Sequence, residues 1–307
     1  MGSDENVPTG DVWSQWLLHL RHADDPRLQQ AVRIAVDRYI ERLLDGAQLT
    51  AGQTLVDVGA GEGLVAFRAI ERVGPTLRTW LTDVSEPMLQ HARARALERG
   101  VLGQCSFLRC PAECLEGIAD ACADVVATRS VLAYVADKSG ALREFNRVLK
   151  PGGRISLCEP VFQDEAIAAQ AMKAVIDASP AEQVSPLMVL LHRWQAAQFP
   201  DTAEKIRACP IANYSERDLV RFAQNAGFAD LHLELHIDTG PSMTRSWDTF
   251  IRSSPHPLAP PLSRIMAERF SAAEREFFER SMRPVIEDPK AVSTDRMAYL
   301  TARKPLV

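Results

Sequence analysis

The stretch with the clearest chemical potential runs from Gln53 to Gly63 and reads QTLVDVGAGEG. A mostly apolar run, Thr54 to Val58, contains one acid, Asp57, and is followed by glycines at positions 59, 61 and 63. The amphipathic run LVAFRAIERVG comes next, so the pattern predicts a buried strand, a tight turn and the start of a helix. Glycine permits positive φ and lets backbone approach a ligand with no Cβ in the way. The turn is therefore predicted to present N–H groups at the carboxyl end of a strand, where open α/β sheets bind ligands.

A second acid follows the next predicted strand, in which Leu77 to Thr82 leads into Asp83. Ser85 predicts an N-cap for the helix EPMLQHARARALERG, and Pro87 is tolerated in its first turn. A carboxylate at a strand end can accept two hydrogen bonds from a pair of ligand hydroxyls. The alternative interpretation of Asp83 is an acid that only favours the start of the helix.

The spacing of the glycines departs from the dinucleotide fingerprint G-x-G-x-x-G, because Leu64 occupies the place of the third glycine. The run DVGAGEG instead resembles motif I of the class I S-adenosylmethionine (SAM) dependent methyltransferases, and LTDVSEPML resembles their second motif. The succession YVAD, REFNRVLKPGG and EP resembles small-molecule methyltransferases. The resemblance implies SAM as the cofactor, S-adenosylhomocysteine as its product, and Asp83 as the residue that binds the two ribose hydroxyls.

The resemblance also assigns further residues to the cofactor. Met88 would lie against the adenine. Many family members carry Asp-Ala after the third strand, where this chain has Pro111-Ala112-Glu113, so the adenine would be held by the Ala112 backbone or by Glu113. The predicted cofactor-binding residues are Asp57, Gly59, Ala60, Gly61, Gly63, Asp83, Val84, Met88, Ala112, Glu113, Arg129 and Ser130.

The fourth predicted strand, ADVVAT, leads into Arg129, which the resemblance places where methyl donor and acceptor meet. Arg129 is predicted either to clamp a substrate carboxylate or phosphate, or to pair with Asp57 or Glu159 as scaffold. Glu159 ends strand five and is a candidate base or substrate contact. Methyltransferases of exocyclic base nitrogens carry Asn/Asp-Pro-Pro-Tyr/Phe where this chain has TRSV, which disfavours a nucleobase acceptor. The predicted catalytic residues are Arg129, Tyr134, Glu159 and His192.

The elements around these motifs predict an α/β fold with a Rossmann-like, mostly parallel sheet of seven strands whose last strand is antiparallel. An early helix, 12–22, is predicted either to pack on the core or to form a lid over the cofactor. The insertion after strand five, with His192 and Trp194, is expected to supply acceptor contacts. The predicted regions are N-terminal helices (1–48), the SAM-binding core (49–160), a helical cap (161–212) and the remaining sheet with a long proline-rich loop at 239–262 and a helix (213–307).

Composition narrows the classes of partner. The net charge is −5 and no Lys/Arg-rich run occurs, which argues against nucleic acid or an anionic membrane surface. No stretch approaches the roughly 18 apolar residues of a membrane span, and the N-terminal MGSDENVPTGD does not resemble a secretory signal. A cytoplasmic protein is expected, either monomeric or homo-oligomeric. Four cysteines between 105 and 122 lack C-x-x-C spacing and are predicted to be thiols without a metal.

These observations predict a SAM-dependent methyltransferase that acts on a natural-product-like or amino-acid-like small molecule by in-line displacement. The sequence does not specify whether the nucleophilic atom of the acceptor is O, N, S or C. A base is needed only if that atom belongs to a hydroxyl or is an acidic carbon. The alternatives are an NAD(P)-binding oxidoreductase, which also uses a strand, a glycine turn and a later acid, and a non-catalytic SAM-binding protein.

Overall fold

The predicted strands form one sheet in the computed structural model, which describes residues 11–306. Neighbouring strands follow the order β3-β2-β1-β4-β5-β7-β6. The first five strands pair in parallel, and β7 runs antiparallel to both β5 and β6. The predicted seven-stranded, mostly parallel sheet is therefore confirmed. The strands are β1 Thr54–Val58, β2 Arg78–Asp83, β3 Cys105–Arg109, β4 Ala123–Arg129, β5 Leu149–Pro160, β6 Ala229–Pro241 and β7 Val292–Arg303.

Helices cover both faces of the sheet and the edge above the carboxyl ends of its parallel strands. The α-helices are α1 Val12–Gln15, α2 Pro26–Ala47, α3 Leu64–Val73, α4 Glu86–Glu98, α5 Lys138–Val148, α6 Gln163–Ala178, α7 Pro186–Gln198, α8 Ala203–Ala208, α9 Glu216–Asn225, α10 Trp247–Arg252, α11 Leu262–Arg269 and α12 Ala272–Ile286. A π-helical turn, Trp16–Leu20, continues α1, and single 3₁₀ turns occupy Leu102–Gln104, Leu132–Tyr134 and Ala181–Gln183.

The core has two layers because successive side chains of a strand point to opposite faces. Leu55 of β1 packs with Leu43 of α2 on one face. Val56, the next residue, packs with Phe145 of α5 on the other face. A third apolar cluster, around Trp247 and Phe278, joins α7 to α10, α11 and α12, and this cluster lies apart from the sheet core.

Local capping signals mark several helix starts, and the cap at Ser85 is the one predicted above. The Ser85 hydroxyl accepts a hydrogen bond from the N–H of Met88 at 3.2 Å, as expected for an N-cap. Capping boxes open α9 at Ser215 and α12 at Ser271. The run at 239–262 is not all loop, because Ser246 caps the short helix α10 within it. Residues 111–121, after β3, form turns and no helix. Residues 1–10 of the predicted N-terminal region lie outside the described residues.

Candidate active site

The turn after β1 has the backbone that its glycines predict. Gly59, Gly61 and Gly63 have φ values of 64°, 53° and 76°, in the left-handed region. A Cβ added at Gly59 would collide with a methyl group of Val131, and one added at Gly63 would lie 2.6 Å from the Phe67 ring. At Gly59 and Gly63 the turn therefore packs against its neighbours too closely for larger residues.

A cavity of about 610 Å³ opens at this turn. Its walls include the predicted cofactor residues Gly59, Gly61, Asp83, Val84, Ala112, Glu113, Arg129 and Ser130. Residues 11–25, named here the N-terminal strap, form another wall through Trp13, Trp16, Leu17 and Arg21. The fold thus brings most of the predicted cofactor set to one continuous space.

Asp83 lies at the end of β2 and is held in place by two backbone donors. Its Oδ2 accepts the N–H of Gly61 at 2.8 Å, and its Oδ1 accepts the N–H of Ser85 at 2.9 Å. Burial raises the pKa of this carboxyl, and the two N–H donors oppose that rise. A carboxylate oxygen has two lone pairs, so each oxygen retains one acceptor position for a ligand hydroxyl. This arrangement suits the predicted role at a ribose.

Four predicted cofactor residues do not line the cavity. Met88 is fully buried, so its contact with adenine stays a prediction, and Val84 is the residue that lines the wall. The Ala60 N–H donates to the Thr82 carbonyl at 2.8 Å and is thereby occupied. Gly63 packs against Phe67 as described above.

Asp57 is the fourth of these residues and is almost completely buried beneath the turn. Its Oδ2 accepts the N–H of Ala66, in the first turn of α3, at 3.1 Å. Burial raises the pKa of Asp57 to about 7, although the Ala66 N–H and the charge of Arg129 act in the opposite direction. Asp57 therefore holds the glycine turn against α3 rather than contacting the cavity.

Glu159 is not placed to act as a base or a substrate contact. It is fully buried, and its oxygens accept hydrogen bonds from the Thr128 hydroxyl at 2.6 Å and the Val131 N–H at 2.9 Å. A longer bond, 3.4 Å, comes from the Ala133 N–H. Burial raises its pKa. Glu159 does not line the cavity, and its observed hydrogen bonds fix the segment that follows β4.

His192 is also excluded from the cavity wall. Its Nε2 lies 3.2 Å from Asp201, and Lys205 donates to the other oxygen of Asp201 at 2.7 Å. The predicted catalytic role of His192 is not supported, because this cluster links α7 to α8 beside the cavity. Tyr134, by contrast, lines the cavity, and its ring meets that of Trp13 edge-on at 5.2 Å. Burial raises the pKa of the Tyr134 hydroxyl above its usual range.

Arg129 lines the cavity, and its guanidinium has no hydrogen-bond or ion-pair partner within residues 11–306. The predicted alternative, a scaffold pair with Asp57 or Glu159, is therefore not formed. A second arginine, Arg21, lines the same cavity, and its guanidinium lies 5.3 Å from the centre of the Trp16 ring. Arg21 was not predicted from the sequence, because a charged residue at the end of a helical run carries no distinguishing signal.

The other end of the cavity is an apolar chamber, formed where α6 and α7 face the segment around α10. Oε1 of Glu165 accepts from Arg296 at 3.1 Å, and burial raises the pKa of Glu165. The second oxygen of Glu165 and the indole N–H of Trp194 are buried without a hydrogen-bond partner in the described part of the chain. The apolar lining comprises Phe162, Trp194, Met243, Phe250 and Leu262.

The N-terminal strap is bonded to this chamber as well as to the cofactor end. The Trp16 indole donates to the Ser254 carbonyl at 2.9 Å, and the Ser254 N–H donates to the Leu20 carbonyl at 2.9 Å. At the other end, the Ser85 hydroxyl donates to Asp11 at 3.1 Å. The strap therefore spans both halves of the cavity.

The described residues were also searched for metal-binding groups and for membrane-spanning helices. All six cysteines are free thiols, and in residues 11–306 no group of three or more His, Cys, Asp or Glu side chains is arranged to hold a metal ion. None of the described helices combines the length and the apolar character that crossing a bilayer requires.

Comparison with known proteins identifies the family. A family model described as a methyltransferase domain matches residues 49–227, more than half of the chain. The chain is 34% identical over 182 residues to the ubiquinone/menaquinone biosynthesis C-methyltransferase UbiE of Xylella fastidiosa (strain M23), covering 59% of this chain and 68% of that protein. It is 28% identical over 197 residues to the UbiE protein of Cellvibrio japonicus, covering 64% and 74%. These matches do not favour an NAD(P)-binding oxidoreductase or a non-catalytic protein.

Solved structures share the fold. The YcgJ protein of Bacillus subtilis matches with a TM-score of 0.53 and 15% identity, over 88% of this chain and 99% of that one. A Bacillus halodurans protein described as a candidate methyltransferase matches with a TM-score of 0.51 and 19% identity, over 87% and 98%. At these identities the likeness shows the fold alone. By its family match, its relatives and its Rossmann-like sheet, the chain belongs to the methyltransferase domain family and is a class I SAM-dependent methyltransferase.

Proposed function

We propose that this enzyme transfers the methyl group of SAM to a carbon atom of an apolar, hydroxylated ring compound. The observation that carries the proposal is the single cavity that joins the glycine turn to the apolar chamber. Its volume, about 610 Å³, falls within the range of about 300–1,000 Å³ that is usual for small-molecule sites.

The residues at the glycine turn fit SAM. Asp83 keeps two acceptor positions, which match the two ribose hydroxyls. Val84 is 42% exposed and presents an apolar side chain to the same wall, where it suits an adenine face. Ala112 and Glu113 lie beside it and remain the proposed partners of the adenine edge. SAM bound there supplies a methyl group that is already activated by its sulfonium sulfur.

The chamber favours an apolar acceptor over an amino-acid-like one. Its aromatic lining, exemplified by Phe162, Trp194 and Phe250, offers ring faces, and its arginine, Arg296, is already paired with Glu165. The Trp194 indole N–H and the free oxygen of Glu165 are buried polar groups without a partner in the described part of the chain, and both can meet an acceptor. A ring that carries oxygen substituents would satisfy both groups, since burying them without partners costs free energy.

The relatives support a carbon nucleophile. The UbiE proteins are named as C-methyltransferases of ubiquinone and menaquinone biosynthesis. A ring carbon becomes nucleophilic when a neighbouring hydroxyl loses its proton, so a base is useful. We assign this role to Glu165, whose free oxygen would accept the hydroxyl proton and whose raised pKa suits a base. The protein otherwise acts by aligning acceptor and methyl group and by excluding water, which can contribute about 7–11 kcal/mol in the best model systems.

The test measures transfer of label from methyl-labelled SAM to reduced alkyl benzoquinones and naphthoquinones, with sarcosine as the amino-acid control. We expect label on a ring carbon of a quinol and none on sarcosine. Glu165→Gln should lower kcat by about 10²- to 10⁴-fold. Asp164→Asn is the matched control, because Asp164 also pairs with Arg296, at 3.2 Å, but does not line the cavity. Label on sarcosine alone, or equal loss in both variants, would contradict the proposal.

A further inference from the structure

The two edges of the sheet differ in how well they are protected from another chain. One edge strand, β3, has five residues, and the guanidinium of Arg93 lies 4.5 Å from the centre of its Phe107 ring. The other edge strand, β6, has thirteen residues and pairs only with β7 among the described residues. A short edge strand resists further pairing, whereas a long one presents a row of free N–H and C=O groups. The sheet can therefore be extended at β6.

The open part of β6 lies between a bulge at one end and a proline at the other. The register against β7 shifts between Ala229 and His232, and Asp230 within this bulge has a φ of +50°. A bulge bends a strand and interrupts regular pairing. Pro241, at the far end, has no N–H to donate. Residues 232–239 lie between these features and are named here the β6 edge segment. In the described part of the chain, their backbone groups make no backbone hydrogen bonds other than those to β7.

Apolar side chains run out of the core along one face of β6. Leu231 and Leu233 pack against the core cluster that includes α9. Leu235 and Ile237, the next two residues on the same face, are 40% and 58% exposed. The β6 edge segment contains neither lysine nor proline, two residues that protect exposed edge strands in natural sheets. This face therefore favours a further strand beside it.

The opposite face of the β6 edge segment alternates between histidine and acid. Glu234 lies between two histidines of its own strand, with Nε2 of His232 at 3.1 Å and Nε2 of His236 at 2.7 Å from its oxygens. Asp238 is the next residue on this face. Read backwards, the order His, Glu, His, Asp becomes Asp, His, Glu, His. A second copy of the segment that runs antiparallel to the first can therefore place an acid opposite every histidine.

The backbone restricts the registers that two copies can adopt. In an antiparallel pair, opposed residues direct their N–H and C=O groups the same way, and this direction alternates along each strand. Two identical strands related by a two-fold axis must therefore place one residue opposite itself. With Leu235 on the axis, Glu234 faces His236 of the second copy, and His232 faces Asp238 of the second copy. Each of these pairs occurs twice by symmetry.

Neighbouring registers are less favourable. An axis one residue before Leu235 would place two copies of Glu234 opposite each other, and an axis one residue after it would place Glu234 opposite Asp238. Like charges directly opposite each other destabilise a strand pair. An axis at Leu233 would draw the bulge into the pairing, and an axis two residues after Leu235 would draw in Pro241.

From these observations we infer that β6 is the interface of a two-fold homodimer. Two copies of the β6 edge segment pair antiparallel with Leu235 on the axis, so that the two seven-stranded sheets form one continuous sheet. The exposed side chain of Ile237 packs against Leu233 of the second copy. The pairing satisfies the free backbone groups of both edges and covers the apolar side chains that each copy exposes.

Sedimentation velocity of the full chain tests the dimer, for which we expect twice the 34.0 kDa of one chain. Ile237→Lys places a charge on the exposed apolar position and should halve the mass, because edge lysines prevent strand pairing. Leu97→Lys is the matched control and should remain dimeric, since Leu97 is 66% exposed on α4, which packs beside β2 and β3 at the other end of the sheet. Wild-type protein with the mass of one chain, or a dimer that persists in Ile237→Lys, would overturn the inference.

Engineered cysteines test the register in protein that keeps its surface charge. Leu235→Cys places two thiols opposite each other, where Cα atoms are about 4.5–5.5 Å apart and a disulfide can form. Oxidised glutathione should then yield a covalent dimer on a non-reducing gel. In Ile237→Cys the two thiols belong to residues about 14 Å apart along the strands, so this control should stay uncrosslinked. Wild type, with its exposed Cys114, gives the background. Equal crosslinking of the two variants, or none in Leu235→Cys, would contradict this register.

A mixing experiment tests the charge pairing. Glu234→Lys alone places a lysine opposite His236 of the second copy, and His236→Glu alone places two acids opposite each other. In the mixture, every acid of one variant faces a basic side chain of the other. The mixture should therefore associate about 10-fold more tightly than either variant alone. Equal association of the mixture and the separate variants would show that these side chains do not face each other across a dimer axis.

Discussion

The carboxylate of Asp83 accepts a hydrogen bond from the N–H of Gly61 at 2.8 Å, across 22 residues of sequence. The bond joins the end of β2 to the glycine turn after β1. With the second bond from the Ser85 N–H, it fixes the orientation of the carboxylate before a ligand arrives. The glycine turn and the acid, which look like two separate motifs in the sequence, thus form one hydrogen-bonded unit.

Replacement of Asp83 by alanine should weaken binding of S-adenosylhomocysteine by about 10- to 100-fold, since hydrogen bonds to a carboxylate contribute about 1.5–3 kcal/mol. The variant also leaves the Gly61 N–H without its partner. Calorimetric titration measures the affinity. Glu86→Ala, which removes an exposed acid from the first turn of α4, is the control and should bind like wild type. Undiminished affinity in Asp83→Ala would show that this acid is not at the ribose.

Replacement of Gly59 by alanine should destabilise the fold by more than the backbone strain alone, which costs roughly 1–2 kcal/mol for an L-residue at positive φ. The new Cβ would collide with Val131. Gly52→Ala is a matched control, because Gly52 has φ +80° but no other atom lies within 4 Å of the position that its Cβ would take. The difference in the free energy of unfolding, measured with urea, isolates the collision. The same loss in both variants would mean that Val131 moves aside freely.

Replacement of Glu159 by glutamine should reduce stability by about 1–3 kcal/mol per buried donor or acceptor left unsatisfied. An amide offers one oxygen where the carboxylate offers two, and its NH₂ group would face the Val131 or Ala133 N–H or the Thr128 hydroxyl. Urea unfolding measures the loss. The pH dependence of methyl transfer should keep its wild-type shape, since this carboxyl does not meet the acceptor. A shifted pH profile in folded Glu159→Gln protein would restore Glu159 as a base.

Acid should destabilise the protein partly through His256, which is almost completely buried between Phe162 and Phe199. Its Nε2 lies 3.0 Å from the Gln198 carbonyl, and burial lowers its pKa from 6.5 to about 4. Between these values the unfolded chain binds more protons, so stability falls as the pH drops from about 6.5 to about 4 and is unaffected by this group at higher pH. The full effect is up to about 3 kcal/mol.

The measurement is urea unfolding of wild type and His256→Gln at several pH values from 7 to about 4. Other carboxyl groups titrate in both proteins, so the difference between the two curves reports His256. We expect the variant to lose less stability than wild type as the pH falls. Parallel curves would show that this histidine is protonated in the folded state without cost.

Local structural features that depend on residues close together in the sequence could be predicted from the sequence. The glycine turn, the Ser85 cap and the capping boxes at Ser215 and Ser271 each depend on residues only a few positions apart. The alternation between strands and amphipathic helices likewise predicts the sheet, because each strand must bury both faces. Motif spacing was enough to place Asp83 and the first two glycines of the turn at the cavity.

The tertiary structure alone decided which charged groups face a ligand. Glu159 and Glu165 are six residues apart in the sequence. The carboxyl of Glu159 is buried and accepts a hydrogen bond from Thr128 of a neighbouring strand, whereas Glu165 lines the cavity. The His192 ring lies within hydrogen-bond distance of Asp201. Arg21 lines the cavity together with a glycine turn that lies about forty residues later in the chain. A side chain's exposure and partners depend on segments that meet only after folding, and burial makes an unpartnered charge costly. No local sequence pattern predicts which distant segments come into contact. The sequence therefore determined the SAM-binding framework, and the three-dimensional packing decided which side chains line the cavity around it.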